Sequence, residues 1–130
     1  MPQATNLTVK NAANADKTFT LLNPAAGSGG IAEWALREGT ISSVFPKLTA
    51  MARPTKNASN VAHIKLKVPS SYTDTVTGLT NVGSAFELNV TASVPDNLPE
   101  AIKDDCVAYA VNIINHVMIK AMLRDAVSAT

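Results

Sequence analysis

The residues of this chain with the clearest chemical capability are its cations. Lys47, Arg53, Lys56, Lys65 and Lys67 lie within residues 39–73, a stretch that contains no Asp or Glu. That stretch carries +5; the whole chain is +1, so the remainder carries −4. A split of this kind is the mark of one surface meeting an anionic partner, or of an ordinary solvated face. Periodicity sharpens the choice. In Lys47-Leu48-Thr49-Ala50-Met51-Ala52-Arg53 the even positions are apolar, and in Ala62-His63-Ile64-Lys65-Leu66-Lys67-Val68 the same holds. Period two sends Lys47, Thr49, Met51 and Arg53 to one face of a strand, and His63, Lys65 and Lys67 to one face of another. The connector 54–60 is rich in turn residues, so a hairpin sets the two basic faces side by side.

Other reactive residues give no second chemistry. His63 and His116 have no Ser or Cys nucleophile signature beside them, so no enzyme is expected. Cys106 lies on an apolar helical stripe and reads as a small buried residue. One Cys and two His make no metal framework. Gly27-Ser28-Gly29-Gly30 is not followed by the Lys-Ser/Thr of a phosphate loop. Asp104-Asp105 reads as a wet helix face and Trp34 as a packed side chain. No cofactor, metal or small-molecule substrate is expected. One Trp, two Tyr and three Phe are sparse for a platform that stacks single-stranded bases.

The elements that must position the cations follow one another in two blocks. Residues 1–95 read as strands and turns, and 97–128 as helix, which predicts an α+β fold with an antiparallel sheet in one domain, 1–130. Leu7–Lys10 and Thr18–Leu22 predict a hairpin across 11–16, and Ile31–Arg37 a further strand after a loop at 24–30. Pro69 ends or bends the strand it closes, and Tyr72–Val76 adds a short one. Ser84–Val94 is a long strand with Phe86, Leu88, Val90, Ala92 and Val94 on one face and Glu87, Asn89, Thr91 and Ser93 on the other. The sheet thus has an apolar and a polar side. Asn97-Leu98-Pro99-Glu100 predicts a capped helix start, and Asn115-His116 a break. From Val107 to Leu123 apolar residues point nearly all round, so this segment must be covered on most sides, which predicts a partner subunit. With 46% hydrophobic and 16% charged residues the chain can build a core. Met1–Lys10 lacks the pattern of a secretory signal, and no run of apolar residues reaches membrane-spanning length.

The order Leu22-Asn23-Pro24, a glycine-rich loop, Ile31-Ala32-Glu33-Trp34, Lys47-Leu48-Thr49, His63-Ile64-Lys65-Leu66-Lys67-Val68-Pro69, the strand holding Asn89 and two terminal helices resembles the levivirus coat proteins of single-stranded RNA bacteriophages. The resemblance covers essentially the whole chain. It implies an N-terminal hairpin, a five-stranded antiparallel sheet and two helices that interlock in a homodimer, with two sheets joined edge to edge. It implies assembly in the bacterial host cytoplasm into an icosahedral virion capsid of the T=3 type, with a loop near 75–83 adapting around the symmetry axes. It also implies that the sheet face opposite the helices binds a stem-loop of genomic RNA, repressing translation and marking the genome for packaging. The positions matching that surface are Lys47, Thr49, Met51, Arg53, His63, Lys65, Lys67, Glu87 and Asn89. Met51 and His63 stand where relatives carry small hydroxyl or polar residues, Glu87 where they carry a stacking aromatic, and Lys67 where some carry an acid. A dimeric RNA-binding regulator that forms no shell is the alternative; uniform RNA-filled particles in the electron microscope separate the two.

Overall fold

A computed structural model describes residues 3–27, 29–39 and 41–130. Met1 and Ser28 of the glycine-rich loop lie outside the described residues. The chain divides into two compact units, Met1–Pro95 and Asp96–Thr130.

The first unit is an antiparallel sheet of β1 (Leu7–Lys10), β2 (Asp16–Asn23), β3 (Ile31–Ala35), β4 (Lys47–Pro54), β5 (Ser59–Thr73) and β6 (Thr80–Pro95), in the spatial order β1-β2-β3-β4-β5-β6. The expected hairpin is continuous with the expected five-stranded sheet, because β2 pairs with both β1 and β3. Its turn is built by asparagine. The Asn11 side-chain oxygen accepts from the backbone N–H of Ala13 and Ala15, both at 3.0 Å, and Asn14 takes the left-handed conformation at φ 61° that its short polar side chain tolerates. At the β4–β5 turn the Thr55 N–H donates to the Ser59 carbonyl at 2.8 Å, and Ala58 is forced to φ 52°.

β3 stops at Ala35, short of the expected Arg37, and β5 and β6 differ more from the expectation. Proline has no N–H to give, yet β5 continues past Pro69 by slipping register between Pro69 and Ser71, so Tyr72 belongs to β5 and not to a separate strand. β6 starts at Thr80, which shortens the loop. There the Asp74 carboxylate accepts from the N–H of Val76 at 2.8 Å and of Thr77 at 3.3 Å, and Gly78 supplies φ 71°. The sheet can therefore pair sooner than the turn residues alone suggest.

Cross-strand partners share a face. One face presents Trp34, Leu48, Leu66 and Leu88 in one row, and Ala32, Ala50, Ile64 and Val90 in the next. The core sits at the β3 end: Ala32, Trp34, Ala35 and Val44 are buried. Trp34 is packed as expected, and its Nε1–H donates to the Thr5 carbonyl at 2.8 Å. Toward β5 and β6 the apolar face opens, with Ile64 42% and Phe86 46% exposed.

The second unit is α1 (Glu100–Ile114) and α2 (Val117–Asp125), bent by 61° at the expected break. The residue before a proline avoids helical backbone, so the helix does not begin at Leu98; Pro99 itself is the N-cap, in extended backbone at φ −60° and ψ 143°. The expected side-chain cap at this start is not made. His116 caps α2, its Nδ1 accepting from the Met118 N–H at 3.2 Å. Neither helix has a buried residue, and Val107, Tyr109, Val111 and Val117 are all more than 60% exposed. Cys106, expected to be buried, is exposed, as is most of the apolar stripe of α1 that holds it.

Candidate nucleic-acid interface

The register of β4, β5 and β6 places Lys47, Thr49, Met51, Arg53, His63, Lys65, Lys67, Glu87 and Asn89 on one sheet face, while Lys56, the fifth cation of the basic stretch, lies in the β4–β5 turn. Lys47, Lys67 and Glu87 form one row across the three strands; Thr49, Lys65 and Asn89 form the next; Met51, His63 and Thr91 follow. Arg53 continues the row set, paired with Val61 and Ser93 beyond it. Directly opposed side chains stand about 5 Å apart at Cβ, and successive rows on one face are about 7 Å apart along the strand. The result is a flat grid of cations and hydrogen-bonding groups, with no enclosed centre.

Local structure explains why the grid holds. Leu48, Ala50, Ala52, Ala62, Ile64 and Leu66 take the opposite face, so slipping either strand by one residue would turn the lysines into the apolar side. Lys65 is half-buried, while Lys47, Arg53, Lys67, Glu87 and Asn89 are exposed. Thr49, Met51 and His63 are half-buried. The His63 ring Nδ1 and the Thr91 hydroxyl are 2.9 Å apart, so a hydrogen bond fixes the imidazole at the surface.

The charge of this face is largely uncompensated. Lys67 has a carboxylate within reach, Glu87 at 3.9 Å, a loose and solvated contact. Among the described residues Lys47, Arg53 and Lys65 form no ion pair. Lys47 lies directly opposite Lys67, and like charges so placed destabilise a sheet by up to about 1 kcal/mol. An anion lying over the pair removes that repulsion. Such a surface suits phosphates, and Thr49 and Asn89 flank Lys65 with groups able to bond base edges.

Several residues of this face were not singled out from the sequence. Glu33 joins the row of Thr49, Lys65 and Asn89, and Ile31 stands opposite Met51. Ser43, Phe45, Lys47, Lys67 and Pro69 line a cleft of about 120 Å³. Extending the period-two count by one step, from Lys47 back to Phe45 and from Lys67 on to Pro69, brings out this end of the face.

Comparison with known proteins bears on the whole chain. A family model described as levivirus coat protein matches residues 2–129. The fold is similar to that of a virus-like particle of bacteriophage NT-214, at 21% identity and a TM-score of 0.86, covering 99% of this chain and 100% of that one. It is similar to a virus-like particle of Beihai levi-like virus 21, at 17% identity and a TM-score of 0.83, covering 99% of each chain. It is also similar to the bacteriophage GA protein capsid, at 16% identity and a TM-score of 0.72, covering 91% of this chain and 92% of that one. No curated protein sequence matches the chain.

Proposed function

Because the chain belongs to the levivirus coat protein family, a structural capsid component of the virion, we propose that it acts as a homodimer whose basic sheet face binds single-stranded genomic RNA as the shell closes. The observation that carries the RNA half of this reading is the register. Lys47 and Lys67 are paired, Lys65 is one row away between Thr49 and Asn89, and Arg53 extends the same face. Lysine and arginine neutralise phosphates and release counterions. A flat sheet does not enter the deep groove of an A-form helix, so this face meets the loop and backbone of a stem-loop. Thr49 and Asn89 are the base readers, and Met51, His63 and Glu87 shape which loop is accepted. Binding to a stem-loop at a translation start would couple repression to packaging.

Three features support the dimer. The apolar sheet face at Ile64 and Phe86 is open to solvent. The helices expose apolar residues on most sides. β6 is an edge strand of 16 residues, with Glu87 as its single charged residue. Proteins keep free edges short or guarded by charge, so an edge like this one calls for pairing. A second copy supplies an antiparallel edge and an apolar cover together. Closure into an icosahedral shell of the T=3 type, with the loop Asp74–Leu79 meeting its neighbours through Val76, which is 91% exposed, completes the reading.

Electron microscopy and nuclease protection test both halves on the purified protein. Uniform particles that dissociate to dimers and hold nuclease-protected RNA are expected. Particles that assemble equally well without nucleic acid and never retain it refute the RNA half, and dissociation to folded monomers refutes the dimer.

A further inference from the structure

We propose that the cleft formed by Ser43, Phe45, Lys47, Lys67 and Pro69 is a nucleotide subsite, in which one unpaired RNA base stacks on Phe45 while Lys47 and Lys67 hold its phosphate. This rests on the reading of the sheet face as an RNA surface and adds a particular place on it. The cleft lies on that face, because Phe45 and Pro69 extend the row step set by Lys47 and Lys67. Its volume is about 120 Å³. That equals about four waters, too small for the pockets of about 300 Å³ and above that take whole organic ligands. A single flat ring entering from the open side suits it.

The lining divides by chemistry. Phe45 is half-buried and lines the cleft. Gly39 leaves the space beside Val44 and the ring open. A side chain there would come within 2.5 Å of Val44 Cγ2, and its Cβ would lie 3.9 Å from the Phe45 ring. Pro69 gives a second apolar wall. Lys47 and Lys67 are directly opposed, and Lys67 holds Glu87 only at 3.9 Å, so the pair is left to attract an anion. The Ser43 hydroxyl offers one hydrogen bond at the rim. An aromatic face beside paired cations is the pattern by which proteins hold unpaired nucleotides, the base stacking while the cations follow the backbone. The chain has few aromatic residues, but one placed beside two lysines is sufficient for one base.

The test uses the full-length protein before shell assembly and two RNA probes, a hairpin with 2-aminopurine in its loop and a fully paired duplex of equal length. Phe45→Leu keeps an apolar side chain and removes the ring. It is expected to weaken hairpin binding about tenfold, within the range of one lost stacking contact. The salt slope and duplex binding should stay as in the parent, since no charge is changed. The 2-aminopurine fluorescence, quenched on binding to the parent, should stay bright with Phe45→Leu and be quenched again with Phe45→Tyr. Circular dichroism of the same variants confirms the sheet. Unchanged hairpin affinity and quenching in a folded Phe45→Leu overturn the subsite while leaving the RNA surface standing. Parent protein that binds neither probe at low salt overturns both.

Discussion

Replacing Lys65 and Lys67 together by Ala tests the basic face by its charge. Both residues stand on β5 in adjacent rows, Lys65 between Thr49 and Asn89, Lys67 between Lys47 and Glu87. Lys65 makes no ion pair among the described residues, so its whole charge is available to an incoming phosphate. Lys67 is a partial case, since the Glu87 carboxylate stands 3.9 Å away. Each lysine that neutralises one phosphate adds about 0.9 to the slope of log affinity against log salt on a duplex stem, or about 0.7 on a single strand. Raising salt from about 50 to about 200 mM then costs about threefold per contact, and about tenfold for two. The double variant should bind an RNA hairpin more weakly than the parent at low salt, and the gap should narrow by about tenfold across that range. Fluorescence anisotropy at four salt concentrations reads the slope, and sedimentation checks that the dimer persists. The fold should tolerate the change, because the variant removes the Lys47–Lys67 repulsion and leaves the apolar face untouched. Parallel salt lines for the two proteins, with the dimer intact, refute the assignment of these lysines to phosphate contact.

Two further outcomes test the apolar side and the backbone. Val90→Asp sets a carboxylate among Ala32, Ala50 and Ile64 on the face assigned to the partner, so it should abolish dimers at micromolar concentration; dimers of parental stability in sedimentation would count against that face. Ala58→Gly relieves the left-handed backbone of the β4–β5 turn and should raise stability by about 1 kcal/mol, read as a higher denaturation midpoint; a lower midpoint would mean that chain entropy outweighs the strain.

Much of the fold was legible because alternation is strong where it matters. The hairpin of β4 and β5 and the two faces of the sheet follow from period two alone, since Leu48, Ile64, Leu66 and Leu88 fall on one side and the lysines on the other. The break at Asn115-His116 was also readable, and the structure adds its cause in the His116 cap. Three things were not. The continuation of β5 past Pro69 depends on a register slip that no local propensity encodes. The exposure of Cys106 depends on what covers α1, and an apolar stripe names no cover. The cleft at Phe45 was missed because Phe45 lies before β4, beside the short 3-10 turn Ser42–Val44, where the strand alternation has not yet begun. The grid of site residues was readable because its members sit at regular steps. Its rim was not: Ser43 lies in a 3-10 turn with no alternation to follow, and Glu33 joins the face only through the pairing of β3 with β4.

The order of the strands has a consequence for how the shell is made. Every strand of the sheet pairs with its neighbour in the chain, so each step closes only a short loop. Contacts of this local kind form fast. A ribosome releasing the chain from its N-terminus hands out β1 to β6 in the order in which they pair, and each new strand finds a finished edge waiting. β6 ends the sheet with one edge unpaired by any other strand of the sheet, and α1 and α2 expose their apolar residues. Refolding should therefore show a rapid phase that ignores protein concentration, followed by one that accelerates with it, and stopped-flow fluorescence of Trp34 follows the first while light scattering follows the second. The cell would then set the rate of shell building by how much coat it makes rather than by how quickly each copy folds.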